Sequence, residues 1–164
     1  MIHLYKTGVF ILIMISASYS YAASTPDELA KLLIQAIEES NIEKHESLIY
    51  PTSLKAQKER SMKMYNKQMD LRFSRKKPSQ YNSYEIIITD IANDKDSKLS
   101  KRMLRFYKNK WAIFPITPEK RLNVMVKEGD IKTGEWTSPY TSQVLSKENG
   151  KWYVVYPSEI IEVE

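Results

Sequence analysis

"ENGKWYVVYP", residues 148–157, is the stretch that most directly predicts the fold. Asn149 and Gly150 suit the two central positions of a type I′ turn, because both positions require a positive φ angle. The alternating apolar residues that follow predict a strand, so residues 141–157 together predict a β-hairpin. The aromatic strand of this hairpin either completes a hydrophobic core or leaves one face open to a ligand or partner.

The periodicity of apolar residues changes once along the chain. Residues 24–40 predict an amphipathic helix, residues 41–50 a short second helix that begins at Asn41, and residues 52–79 a third helix. After Pro78 the pattern becomes strand-like, with six short apolar runs, and residues 128–139 are interpreted as a loop. Helices followed by strands predict an α+β fold, with the helices on one face of a curved, mostly antiparallel sheet.

The first 22 residues have the features of a signal peptide. One cation, Lys6, precedes an apolar run at residues 9–15, and small residues then allow cleavage between Ala22 and Ala23. The alternative is an uncleaved anchor, but the run is shorter than the ~20 residues that a membrane-spanning helix needs. We therefore expect residues 23–164 to form a single periplasmic or secreted domain. Without cysteine, that domain must rely on its core for stability.

Positive charge is concentrated in one segment. Residues 23–54 contain two cations and six acids, residues 55–77 nine cations and two acids, and residues 78–164 thirteen cations and twelve acids. Such asymmetry favours contact with an anionic partner. The alternatives are a solvated helix face, or pairing with the acidic first helix. The candidate anion-binding residues are Lys63, Lys67, Arg72, Arg75, Lys76 and Lys77.

The order of elements resembles the nuclear transport factor 2-like superfamily, a cystatin-like α+β cone. The matching stretches are the helix with "DELAKLLIQAIEE", the short helix that ends in "SLIYP", and the terminal hairpin with "ENGKWYVVYP". The resemblance implies a cone-shaped cavity and a homodimer formed through the sheet. The family includes isomerases, dehydratases, ligand carriers and non-catalytic proteins, so the fold alone does not choose a function.

The sequence offers little for catalysis. His45 is the only histidine after His3 and is interpreted as a lone surface residue, so neither a catalytic triad nor a histidine metal site is expected. Asp90 is interpreted either as a general base at the mouth of the cavity or as the residue that starts a turn. We expect no cofactor, no bound metal and no catalytic residue.

Three functions remain open from the sequence. The favoured one is a non-catalytic exported domain that binds an envelope protein or an anionic surface; nucleic acid is not an expected partner of an exported chain. The second is a carrier of a small apolar ligand, or an isomerase-like enzyme, that uses the cavity. The third is a periplasmic immunity or inhibitor protein. The candidate pocket residues are Tyr65, Asp90, Trp111, Trp152 and Tyr156.

Overall fold

The structure, a computed structural model, describes residues 23–91, 102–107, 109–130 and 134–162. Within these ranges four α-helices precede seven strands. The helices are α1 (Pro26–Glu38), α2 (Ile42–Ser47), α3 (Pro51–Arg60) and α4 (Met62–Ser74), followed by a 3₁₀ turn at Pro78–Gln80. The strands are β1 (Ser83–Asp90), β2 (Met103–Tyr107), β3 (Lys110–Ile113), β4 (Lys120–Asp130), β5 (Gly134–Glu148), β6 (Lys151–Val155) and β7 (Glu159–Glu162). The predicted signal peptide lies outside the described residues.

Helix α1 forms as the sequence predicts. The Thr25 side chain accepts a hydrogen bond from the backbone N–H of Glu28, which satisfies one of the donors left free at a helix start. Leu29, Leu33 and Ile37 recur at helical spacing, and all three are buried. The predicted start of the second helix is also confirmed, because the Asn41 side chain accepts a hydrogen bond from Lys44 N.

The prediction of one long third helix is wrong. The chain is broken at Ser61, whose backbone is extended (φ −166°, ψ 101°). The Ser61 hydroxyl accepts a hydrogen bond from Met64 N and so begins a separate helix, α4. Serine is as suitable for a helix start as for an exposed helical position, so the apolar spacing alone did not reveal the break.

The strands confirm the α+β class and divide into two antiparallel sheets. Sheet A has the order β1-β4-β5-β6 and sheet B the order β2-β3-β7. The predicted turn between β5 and β6 is confirmed, because Asn149 and Gly150 have φ angles of 50° and 80° and Glu148 pairs with Lys151. Strand β7, which pairs with β3, was not anticipated in the sequence.

The interpretation of residues 128–139 as a loop is wrong for most of that segment. Strand β4 extends to Asp130, and β5 begins at Gly134, so the two strands form a long hairpin. Their register places Glu128 opposite Trp136, and Lys127 forms an ion pair with Glu135. Cross-strand pairing stabilises this segment although its own sequence has few strand-forming residues.

Sheet A has apolar contacts on both of its faces. On one face, Leu122, Leu145 and Val154 belong to the main core with residues of α1. The next residue of β6, Val155, points to the opposite face and forms a smaller core with Ala112 and Phe114 of the sheet B layer. Helices, sheet A and sheet B therefore form three successive layers.

The outer edge of β6 is covered by backbone from the N-terminal half of the chain. Trp152 N donates to Ala23 O, and Val154 N donates to Leu48 O, each at 2.9 Å. Tyr50 N in turn donates to Val154 O at 2.9 Å. These bonds join the start of α1 and the connection between α2 and α3 to the sheet.

Candidate functional site

Helices α3 and α4 carry most of the basic segment and lie beside the end of β6. The buried hydroxyl of Ser53 in α3 donates to Tyr156 O (3.1 Å) and accepts from Tyr156 N (3.2 Å). On α4, Tyr65 and Met69 are buried, and Phe73 packs against the main core. One side of α4 is therefore fixed to the protein, and the opposite side faces solvent.

The Glu46 carboxylate contacts side chains of both α3 and α4. Glu46 accepts hydrogen bonds from the Tyr65 hydroxyl and from Lys58 Nζ, each at 2.7 Å. Burial and the neighbouring Glu46 carboxylate raise the pKa of the Tyr65 phenol, so Tyr65 remains a neutral hydrogen-bond donor. This arrangement joins α2, α3 and α4 and leaves Tyr65 unsuited to act as a base.

The prediction that His45 lies on the surface is wrong. The side chain is fully buried, and its ring lies edge-on to Phe73 with the centroids 5.5 Å apart. Arg72 Nη1 lies 2.6 Å from His45 Nε2 and donates to the Tyr156 hydroxyl at 3.1 Å. The polar context of "IEKHES" gave no indication that this residue points into the interior.

The contact with Arg72 fixes the state of the imidazole. A guanidinium can only donate, so His45 Nε2 must accept and the ring proton resides on Nδ1. Burial, with a smaller effect from the Arg72 charge, lowers the pKa of His45 to about 3. Nδ1 has no hydrogen-bond partner among the described residues. A neutral imidazole in this position does not function as a proton carrier near neutral pH.

Four of the six predicted anion-binding residues make contacts within the protein. Arg72 contacts His45 and Tyr156, as described above. The Arg75 guanidinium lies 3.7 Å from the centre of the Tyr140 ring. Lys76 Nζ forms an ion pair with Glu128 at 2.7 Å.

Lys77 joins the ends of two helices. Its Nζ donates to Ile37 O at 2.8 Å, to Ser40 Oγ at 2.7 Å and to Phe73 O at 3.0 Å. The two carbonyls belong to the last turns of α1 and α4, where backbone acceptors have no partner within the helix. Cations are favoured at this end of a helix dipole.

The other two predicted residues, Lys63 and Lys67, are exposed. Neither has a hydrogen bond or ion pair within the described part of the chain. Met64 and Leu71, which are 54% and 61% exposed, lie on the same solvent-facing side of α4. Spacings of three and four residues place Met64, Lys67 and Leu71 in one row along the helix. We call Lys63, Met64, Lys67 and Leu71 the outer face of α4.

The five predicted pocket residues do not line one cavity. Trp152 is buried in the main core, whereas Asp90 is exposed and pairs with Lys120 at 2.5 Å. Trp111 lies on β3 and points away from Ala112, the residue that faces sheet A. Tyr65 lines an open cavity of about 380 Å³ between α3 and α4.

Tyr156 borders a different cavity, a crevice of about 310 Å³ between the two sheets. Its apolar walls come from sheet A and from the sheet B layer. Arg121 also lines this crevice, although it was not among the predicted site residues. Its side chain is exposed and has no partner within the described residues. The residues that line the crevice include Leu104, Ala112, Phe114, Val144, Val155 and Arg121.

Two features are absent from the described ranges. No group of three or more histidine, cysteine, aspartate or glutamate side chains within them is arranged to hold a metal ion. No helix among the described residues is long and apolar enough to cross a membrane.

Comparisons with known proteins leave the family open. No family model matches the chain. Neither a curated protein nor a solved structure matches it. The α+β architecture therefore rests on the structure itself, and any function must be argued from the surfaces and cavities described above.

The burial of a neutral His45 predicts acid-sensitive stability. The unfolded chain binds the His45 proton near pH 6.5, whereas the folded protein binds it only near pH 3. The stabilisation is therefore complete above pH 6.5 and is lost as the pH falls from 6.5 towards 3. Between pH 6.5 and pH 5 we expect this group to remove about 2 kcal/mol from the free energy of unfolding, as measured by urea denaturation.

His45→Gln is the matched variant, because glutamine offers an acceptor to Arg72 and does not titrate. Its free energy of unfolding should fall less than that of the wild type over the same pH interval. Equal pH dependence in both proteins would contradict the assignment of a buried, neutral His45.

The different contacts of Lys76 and Lys77 predict different effects of substitution. Lys77→Met should lower the free energy of unfolding by about 2 kcal/mol, because acceptors at two helix ends lose a charged donor. Lys76→Met removes a surface ion pair with Glu128 and an exposed contact with the Tyr81 ring, and should cost less than about 1 kcal/mol. Thermal and urea denaturation of both variants measure this difference, and equal stabilities would show that Lys77 does not join the helices.

Proposed function

We propose that this protein is a non-catalytic binding domain that contacts an anionic lipid surface through the outer face of α4. The observation that supports this most directly is the pairing of free lysines with exposed apolar side chains on that face. Lys63 and Lys67 have no partner among the described residues, and Met64 and Leu71 lie beside them.

The positive charge of the segment extends beyond the two free lysines. Of the nine cations in residues 55–77, three form ion pairs with carboxylates: Lys55 with Glu59, Lys58 with Glu46, and Lys76 with Glu128. The remaining six have no such pair with a described residue. Hydrogen bonds from Arg72 or Lys77 to neutral groups fix the side chain without cancelling its charge. The segment therefore keeps a positive potential, which attracts an anionic surface.

The apolar residues favour lipid over a purely polar anionic polymer. A helix that lies at a membrane interface combines cations with apolar side chains that enter the boundary between headgroups and acyl chains. Met64 and Leu71 supply such side chains, and the rest of the protein holds α4 in place through Tyr65 and Met69. The helix therefore does not need to fold on binding, which lowers the entropic cost of association.

Export and family membership are part of the proposal. The signal-like residues 1–22 support cleavage between Ala22 and Ala23 and a periplasmic or secreted location, where anionic lipid headgroups are accessible. The order of helices and antiparallel strands, with α1 packed on one face of sheet A, supports the nuclear transport factor 2-like assignment. A non-catalytic role agrees with the neutral, inaccessible state of His45.

Removal of the two free lysines should weaken binding to anionic vesicles. Each lysine near such a surface contributes about 1 kcal/mol, so Lys63→Gln with Lys67→Gln should lower the vesicle partition coefficient roughly 30-fold. Co-sedimentation with vesicles of phosphatidylglycerol and phosphatidylcholine measures this coefficient. Binding of the wild type should fall as salt is added, because exposed charges are screened.

The matched control is the double variant Lys147→Gln with Lys151→Gln. It removes the same charge from two exposed lysines of the β5–β6 hairpin. This variant should bind nearly as well as the wild type, and Met64→Gln with Leu71→Gln should bind less well at unchanged charge. No wild-type binding to the anionic vesicles, or equal losses in both lysine pairs, would contradict the proposal and favour an acidic protein partner, including the target of an inhibitor or immunity protein.

A second candidate function is carriage of a small amphipathic acid in the crevice between the sheets. Its volume of about 310 Å³ lies at the lower end of the range for small-molecule sites. Its apolar lining suits the body of the ligand, and the unpaired Arg121 suits a carboxylate or sulfonate at the rim.

This candidate predicts binding of anilinonaphthalene sulfonate, whose fluorescence rises in an apolar site. Arg121→Gln should raise its dissociation constant about tenfold, because a charged hydrogen bond contributes roughly 1.5 kcal/mol. Lys147→Gln, which removes a charge outside the crevice, should leave it unchanged. An absent fluorescence increase, or equal affinities for Arg121→Gln and wild type, would exclude this site.

A further inference from the structure

The two edge strands of sheet A, β6 and β1, differ in their backbone hydrogen bonds to the rest of the described chain. At the outer edge of β6, Trp152 N and Val154 N donate backbone hydrogen bonds to earlier segments of the chain, and Val154 O accepts one from Tyr50 N. Strand β1 forms the opposite edge, and its partner is β4. No residue within the described ranges bonds to the outer side of β1. Among the described residues, the outward-pointing backbone donors and acceptors of this eight-residue strand therefore have no partner.

The residues whose backbone groups point outward follow from the hydrogen-bond pattern. Ile91 N donates to Glu119 O, just beyond the pair Asp90–Lys120. In an antiparallel ladder, alternate residues bond to the same neighbour, so the odd-numbered residues of β1 bond to β4. The N–H and C=O groups of Tyr84, Ile86 and Ile88 consequently point away from the sheet.

Strand β1 lacks several of the features that usually protect an exposed edge, and its two charged residues, Glu85 and Asp90, flank an apolar centre. Its sequence, "SYEIIITD", contains no proline and no lysine, and its register with β4 is continuous over all eight residues. Tyr84 is 44% exposed. A groove of about 310 Å³ lies between Tyr84 and Ile86 on one side and α1 residues, including Ile34, on the other. An edge with an apolar centre, which no described residue covers and which lies beside a groove, is suited to receive another extended strand.

We propose that β1 pairs antiparallel with β1 of a second copy, which joins the two four-stranded sheets into one of eight strands. The second copy is favoured because the strand is complementary to itself. With Ile87 on the two-fold axis, Ile86 faces Ile88 of the second copy, so the apolar centre meets its own equivalent. Glu85 then faces Thr89, so that each carboxylate faces a hydroxyl and no two acids are opposed.

The register is constrained in two further ways. Outward-pointing backbone groups must meet outward-pointing groups, so even-numbered residues pair with even-numbered ones. The same condition keeps Ile86 and Ile88 of both copies on the helix side of the joined sheet. Pairing Ile86 with Ile88 satisfies both conditions and places Tyr84 opposite Asp90 at each end.

The experiment is a charge reversal at the axis. The purified wild-type protein should show concentration-dependent dimerisation in sedimentation velocity. Ile87→Lys places two lysines opposite each other, and Ile87→Glu places two glutamates there. Each variant alone should raise the concentration at half-dimerisation at least about tenfold. An equimolar mixture should restore the dimer, because each lysine then faces a glutamate.

Restoration by mixing also shows that both variants are folded. Hydrogen exchange supplies an independent reading: the amides of Tyr84, Ile86 and Ile88 should gain protection as the protein concentration rises. Several results would overturn the proposal: a wild type that is monomeric at every concentration, a dimer unaffected by either charge, or no recovery on mixing. Protection of these three amides in a monomer would likewise overturn it, since another segment of the same chain would then cover the edge.

Discussion

The hydrogen bonds between Val154 and the segment around Ile49 determine where the helical layer lies. Val154 donates to Leu48 O and accepts from Tyr50 N, so β6 gains a short parallel neighbour on the side away from β5. This segment connects α2 to α3, and Ser53 adds two further hydrogen bonds to the backbone of Tyr156. The start of α3 is therefore fixed to the end of β6. Every contact that α4 makes with Glu46, His45 and Tyr156 depends on that attachment.

The cations of the basic segment have two different physical roles. Arg72 and Lys77 donate to neutral acceptors inside the protein, so their positions are fixed while their charges remain. Lys63 and Lys67 extend into solvent and are free to reach a partner. A substitution at Lys77 would change both stability and charge, and loss of binding in such a variant would be ambiguous. Substitutions at the exposed Lys63 and Lys67 change the charge without removing an internal contact, so they test binding separately from stability.

Local signals predicted the parts of the fold that local chemistry determines. Thr25 and Asn41 start helices because their side chains bond to nearby backbone, and Asn149 and Gly150 form a turn because both tolerate a positive φ angle. The hairpin between β4 and β5 was missed because the pairing of the two strands, and not the composition of residues 128–139, gives this segment its extended structure. The break at Ser61 was missed because serine is compatible with either structure.

The basic segment was recognised from its composition, but the roles of its members were not. Arg72 and Lys67 carry the same charge. Only the packing of α4 against β6 shows that Arg72 makes a contact inside the protein whereas Lys67 is exposed. His45 was misplaced for the same reason, since a polar neighbourhood in sequence says nothing about which face of a short helix is covered. Arg121 was overlooked because the crevice arises between two sheets that no local pattern connects.

The surfaces proposed for lipid binding and for dimerisation are separate, and their geometry is compatible. A two-fold axis perpendicular to sheet A does not exchange its faces, so in the proposed dimer both helical layers lie on the same side of the joined sheet. Both outer faces of α4 therefore belong to helical layers on the same side of the dimer. Attachment of one copy would bring the second close to the surface, which makes its binding effectively intramolecular. A free-energy contribution of a few kcal/mol from each α4 would then support much tighter attachment of the pair than of either copy alone, without any additional contact.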